Sequence, residues 1–222
     1  MGRFVQPLGA RGSLKWIQCA VNSKPNVLSR PILSEITTCR SIDWLSPLAT
    51  DGYAEYRDAA FLARIGHPEL ASKLSEFWPA RGPQWDALAQ SDCGDVFLIE
   101  AKAHINEMCS PATQASEPSK QKIEAALNAA AIECGAHPRA PWSAVFYQLG
   151  NRFAHLHFLR REGISAWLML VNFVGDEDMG GPKTQAEWEA AYRVAYHVMD
   201  IRAGSGLMRF VRHLYPDIKD IC

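Results

Sequence analysis

The sequence predicts an α/β domain, with a central mixed sheet flanked by helices and extra helices towards its N- and C-terminal ends. Three observations carry this expectation. Residues 84–104 place QWDALAQ and DVFLIEAKAH on either side of the turn-rich SDCG, the pattern of two strands in a hairpin. Residues 164–174, ISAWLMLVNFV, are apolar on both faces, as a central strand must be. Around these runs, apolar residues recur at helical spacing. Breaks marked by Pro or Gly divide the chain without a long low-complexity linker or an internal repeat, so residues 1–222 read as a single domain with its core at about 53–174.

Taken in order, LKWIQCAVNSKPNVLSRPIL (14–33) has loosely helical apolar spacing interrupted near Pro25 and Pro31, and reads as two short helices with a packing role. Asp51 can cap a helix from about Gly52 to Ile65, whose apolar face holds Tyr56, Ala59, Ala60, Leu62, Ala63 and Ile65. A short helix near Pro68 to Phe77 follows, then the hairpin. Ser119 can cap the Ala-rich helix that ends before Gly135. From Pro141 to Glu162, apolar residues at 142, 145, 146, 149, 153, 156 and 159 form a helical stripe that Gly163 closes. After the central strand, TQAE at 184–187 makes a capping box with Glu187 for a further helix, and GLMRFVRHLY supplies one more short helix.

Of the 222 residues, 48% are hydrophobic and 21% charged, the composition of a globular domain that buries a full core. Lys plus Arg (23) nearly balance Asp plus Glu (24), so any positive surface for a nucleic acid has to be local. The six cysteines form no CxxC pair and no Cys/His cluster at zinc-finger spacing, and read as reduced cytoplasmic thiols. MGRFVQPLGARGSLKW lacks the apolar segment of a signal peptide, and no run of about eighteen apolar residues follows, which predicts a soluble, cytoplasmic protein.

The chemistry centres on Glu100 and Lys102. Alternate side chains of a strand share a face, so Glu100 and Lys102 point the same way as Val96 and Leu98. Burying such a pair is often no more stabilising than apolar residues of the same volume, so stability is a poor reason for it. A bound cation and a polarised water are a better one. Asp86, flanked by apolar neighbours in WDALA, can approach Glu100 across the hairpin, and two converging carboxylates repel unless a proton or a hard cation lies between them. Mg²⁺ or Mn²⁺ suits such a site.

This pattern resembles the PD-(D/E)XK nuclease superfamily, with its restriction-endonuclease-like core of a helix, a hairpin carrying aspartate and E-x-K, a further helix and a strand. Asp86 matches the motif aspartate and Glu100-Ala101-Lys102 the E-x-K, with thirteen residues between aspartate and glutamate, though Trp85 stands where the motif has proline. The match covers about Tyr53 to Val174, and the whole chain is similar to small bacterial members of that superfamily.

The resemblance implies phosphodiester hydrolysis by an activated water. Asp86, Glu100 and the main-chain carbonyl of Ala101 would hold Mg²⁺ or Mn²⁺, and Lys102 would orient the water or stabilise developing charge. Glu55 matches a glutamate of the first core helix. Gln148 matches a glutamine that the exonuclease-like branch carries after the E-x-K, although Arg152 stands where that branch has tyrosine. The partner implied is nucleic acid, DNA before RNA, with a homodimer as one arrangement and no membrane. The alternative is a non-catalytic nucleic-acid or protein binding module on the same fold.

Other polar residues read as structural. Asp92 and Asp95 flank the turn, where aspartate bonds its own backbone. His155 and His157, two residues apart, lie on different sides of a helix and make no metal pair, whereas His104 shares the strand face of Lys102 and could line the site without being one of its catalytic residues. The seven tryptophans mostly occupy core positions rather than base-stacking ones, and Arg160-Arg161 complement a helix dipole.

Overall fold

A computed structural model describes residues 2–36, 38–137 and 140–221. The chain enters through β1 (Arg3–Phe4), then α1 (Gly12–Ser23) and α2 (Asn26–Glu35). Pro25 separates the two helices as expected, but Pro31 lies inside α2 and does not end it. Strand β2 (Ile42–Ser46), for which the sequence carries too few apolar residues, follows.

The expected helix from Gly52 to Ile65 forms only in its second half. Gly52 and Tyr53 have left-handed backbones with φ of 63° and 51°, which no helix interior accommodates. Residues Glu55–Tyr56 become β3 instead, paired antiparallel with β1, and α3 covers only Asp58–Arg64. Asp51 therefore caps no helix; its carboxylate accepts hydrogen bonds from Arg3 and Tyr56.

A 3-10 turn at Pro68–Leu70 leads into α4 (Ala71–Phe77), and the hairpin β4 (Ala87–Ser91) and β5 (Val96–Lys102) forms as the two runs around SDCG predict. Helix α5 (Glu117–Glu133) starts at Ser116 rather than Ser119, because Pro118 fits the first turn. Helix α6 (Tyr147–Arg161) is shorter than the stripe from Pro141 implies, and β6 (Ala166–Asn172) is the apolar run. The Thr184 capping box opens α7 (Gln185–Val198): the Glu187 amide donates to Thr184 Oγ1 at 3.3 Å, and the Glu187 carboxylate accepts from the Thr184 amide at 3.1 Å. GLMRFVRHLY does not end as a helix. It makes a 3-10 turn and then strand β7 (Val211–Leu214), where its alternating Val211 and Leu214 meet opposite cores.

The central sheet has the order β2-β4-β5-β6-β7. Its first two pairings are antiparallel and its last two parallel, so the sheet is mixed and extends beyond residues 53–174 at both edges. Leu88, Val96, Leu98, Leu168 and Leu170 pack beneath α3 to α7. Ala87, Ala89, Phe97, Ile99, Met169 and Val171 pack on the opposite face beneath α1 and α2. Two layers of helices thus enclose the sheet, which is why β6, covered on both sides, carries no alternation. No helix among the described residues is long and apolar enough to cross a membrane.

Helix α6 explains its lack of a clean polar face by being buried nearly all round, polar residues included. His155 is 1% exposed, its ring wedged among Phe61, Phe77, Trp78 and Trp85, with Nδ1 2.9 Å from the Asn151 carbonyl. Burial, reinforced by the Arg152 charge, lowers its pKa to about 3. A histidine depressed on folding contributes stability that is complete above its unfolded value near 6.5 and lost as pH falls towards the folded one. Chemical denaturation of the wild type should therefore weaken by several kcal/mol from about pH 6.5 down to 3. His155→Gln should show a flatter profile over that window; parallel profiles would contradict this assignment.

Candidate active site

The register Ala87↔Ile99 brings Asp86, just before β4, opposite Glu100. Asp86 Oδ2 accepts the Ala101 amide at 2.7 Å, tying the aspartate to the middle of the E-x-K. In an extended strand the amide and carbonyl of one residue point to the same side. The Ala101 carbonyl is therefore directed towards Asp86, past the end of the β4 ladder.

Glu100 and Lys102 lie on the α6 face of the sheet and are both buried. Lys102 Nζ donates to Glu100 Oε1 and, at 3.2 Å, to Gln148 Oε1 in the first turn of α6. Arg152, one turn further along, donates through Nε to Glu100 Oε2. Its Nη2 reaches the Gln84 carbonyl at 2.9 Å, its Nη1 the Asn151 side chain at 3.0 Å, and its guanidinium lies 4.9 Å from the centre of the Trp85 ring. Arg152 is thereby held by Glu100 inside the fold.

Glu55 also reaches this cluster, though not from a helix. It arrives on β3, whose Tyr56 bridges to Trp85 next to Asp86. Gln6 at 2.8 Å and Gln84 both donate to Glu55 Oε2. All the residues singled out by the motif thus meet at one end of the β4–β5 hairpin. Gln6, Gln84 and the Arg152–Glu100 pairing had no sequence signal beyond Gln84's nearness to Asp86.

The electrostatics of the three carboxyls differ. Burial works against ionisation of Glu100, yet the Arg152 and Lys102 charges outweigh it and hold the carboxyl below its ordinary pKa. Burial pushes Asp86 well above its ordinary value, and the Glu100 charge adds to this against a partial offset from Lys102. Glu55 is also raised, first by burial, with its two glutamine donors opposing. An ionised carboxylate beside two that resist ionisation is a set of hard oxygen donors that a divalent cation would favour in its charged form. The donors present fit Mg²⁺ or Mn²⁺, and Glu100 would have to exchange one of its cationic partners to serve.

Access is asymmetric. Behind Glu100, a cavity lined by Lys102, Met108, Gln148, Leu149 and Tyr192 holds about 10 Å³, the lower limit for one water. Asp86 is half-buried and so more open to solvent than Glu100. A larger cavity of 560 Å³ beside α3 and α4 includes none of the cluster's acids.

His104 stands outside the cluster. It precedes a 3-10 turn, and the Glu107 carboxylate there accepts the Ala103 amide at 2.6 Å and closes the end of β5. Five of the tryptophans are buried, at 16, 78, 85, 142 and 188, in keeping with a packing role.

The chain is thus an α/β protein with an acidic and basic cluster on one face of a five-stranded mixed sheet. No protein-family model, no curated protein and no solved structure matches it.

Proposed function

We propose that this protein is a metal-dependent nuclease of restriction-endonuclease-like fold that hydrolyses nucleic-acid phosphodiester bonds. The observation that carries the reading is the convergence of Glu55, Asp86, Glu100, Lys102 and Gln148 at one end of an antiparallel hairpin. Agreement in element order supports it: the hairpin is followed by α5 and α6 and then by β6, parallel to β5.

Asp86, Glu100 and the Ala101 carbonyl would hold Mg²⁺ or Mn²⁺, which when bound polarises a phosphate and lowers the pKa of a water. Lys102, anchored by Gln148, places an ammonium beside the Glu100 carboxylate, where it can orient a nucleophilic water or meet charge developing on the phosphate. Gln148 keeps the lysine directed at that point. Glu55, held by Gln6 and Gln84, sits close enough to Asp86 and Glu100 to raise the field there and to accept a proton.

Hydrolysis of single- and double-stranded DNA and of RNA should be assayed with Mg²⁺ or Mn²⁺ and with chelator. The expected result is metal-dependent cleavage that Lys102→Ala reduces at least tenfold, about 1.4 kcal/mol of barrier. Equal turnover by a folded Lys102→Ala protein would remove the mechanism. A second reading, a non-catalytic nucleic-acid or protein binding module, is favoured by one observation: both oxygens of Glu100 are already neutralised by Lys102 and Arg152. Nucleic-acid binding that needs no divalent metal and survives Glu100→Gln would select it.

A further inference from the structure

A second group of ligand-type side chains lies at the opposite end of the hairpin, where the turn after β4 meets the segment entering β2. The pairing Ile42↔Ser91 brings these stretches together, and the Asp92 amide donates to the Ser41 carbonyl at 3.2 Å. Donor atoms of Cys39, Asp92 and Cys93 all lie within 4.8 Å of one another. Asp95 lies outside that mutually close trio but touches its buried member, with Oδ2 3.0 Å from Cys39 Sγ. We propose that Cys39, Cys93 and Asp92, with Asp95 drawn in as the fourth donor on binding, form a structural site for a zinc-class divalent cation that ties the hairpin turn to β2.

Thiolates with carboxylates suit a borderline-soft ion, and a closed set of four protein donors is the arrangement of structural rather than catalytic zinc. Zn–S bonds of about 2.3 Å and Zn–O bonds of about 2.0–2.2 Å place tetrahedral donors roughly 3.5–3.8 Å apart, so Cys39, Asp92 and Cys93 need only a small contraction and Asp95 has to swing towards them. Asp92 and Cys93 are exposed and can supply it, whereas Cys39 is buried and fixes the position. Hydrogen bonds hold the two carboxylates in place: Asp92 Oδ1 accepts the Arg40 amide at 2.9 Å, and Asp95 Oδ1 accepts the Ser165 hydroxyl.

Each thiol now donates its proton to an oxygen, Cys93 to the Thr38 carbonyl at 3.2 Å and Cys39 to Asp95. On binding, two S–H bonds release their protons to solvent and two metal–sulfur bonds form, with no redox change. The site is independent of the acidic cluster and would brace the edge of the hairpin that carries it.

The test is titration of the fully reduced protein with Co²⁺, followed by displacement with Zn²⁺. The expected result is one equivalent of Co²⁺ with thiolate-to-cobalt charge transfer and strong tetrahedral absorption, bleached by Zn²⁺. Cys93→Ser, at an exposed position that leaves the fold intact by circular dichroism, should weaken binding at least tenfold and remove most of the charge-transfer band. Asp92→Asn should weaken it at least tenfold, and Cys109→Ser should leave it unchanged. No thiolate band with excess Co²⁺, or a band that survives Cys93→Ser, would overturn the site. So would a Cys39–Cys93 disulfide whose reduced form takes up no metal.

Discussion

Glu100→Ala should cost the metal-free protein about 3 kcal/mol or more, the largest stability effect of any single change at the cluster. Glu100 is the common partner of Lys102 and Arg152, and all three are buried. Truncation leaves two cations facing each other without their carboxylate, and breaking a buried pair from one side typically costs 3–5 kcal/mol. Glu100→Gln retains the shape but only one acceptor oxygen, so one cation keeps its hydrogen bond while the other meets an amide NH2, and the loss should be smaller than for Glu100→Ala. Denaturant midpoints measure both, and equal stability of Glu100→Ala and wild type would show that the cations are not held by this carboxylate.

Asp86→Asn should act in the opposite direction on stability while removing metal binding. Asp86 carries the cost of burial and the repulsion of Glu100, which together raise its pKa. Its structural contact, acceptance of the Ala101 amide, is one that an asparagine oxygen can also make. The metal-free variant should be more stable by about 1 kcal/mol or more, a rise of roughly 2–4 °C in Tm for a domain of this size. A residue that destabilises the fold it belongs to is the pattern expected where a site serves binding rather than packing. A lower Tm for Asp86→Asn would assign Asp86 a structural role instead.

The sequence made the centre of the sheet legible because burial there is one-dimensional: β5 and β6 are covered on both faces, so their apolar runs needed no partner to be read. Edges were not legible. IDWLS in β2 and the two-residue β3 have little apolar signal, and β7 looks helical until β6 offers it a parallel neighbour. Glu55 was found for an incomplete reason, since its inward position comes from β3 pairing with β1 across fifty residues and not from a helical face. Arg152 was readable as a cation near the site, but its engagement with Glu100 depends on the distance between α6 and β5, which no local pattern encodes. The approach of Cys39 to Cys93 likewise depends on β2 joining the sheet, itself unpredicted.

The central claim is that the hairpin acids bind a hard divalent cation, and free Mn²⁺ followed by electron paramagnetic resonance tests it without any choice of substrate. The titration should use a Cys93→Ser background, so that the thiol group at the other end of the hairpin contributes nothing. The account predicts saturable loss of the free-ion signal in that protein, abolished by Asp86→Asn and by Glu100→Gln while both remain folded. Absence of binding up to millimolar Mn²⁺, or binding that neither substitution weakens, would contradict it.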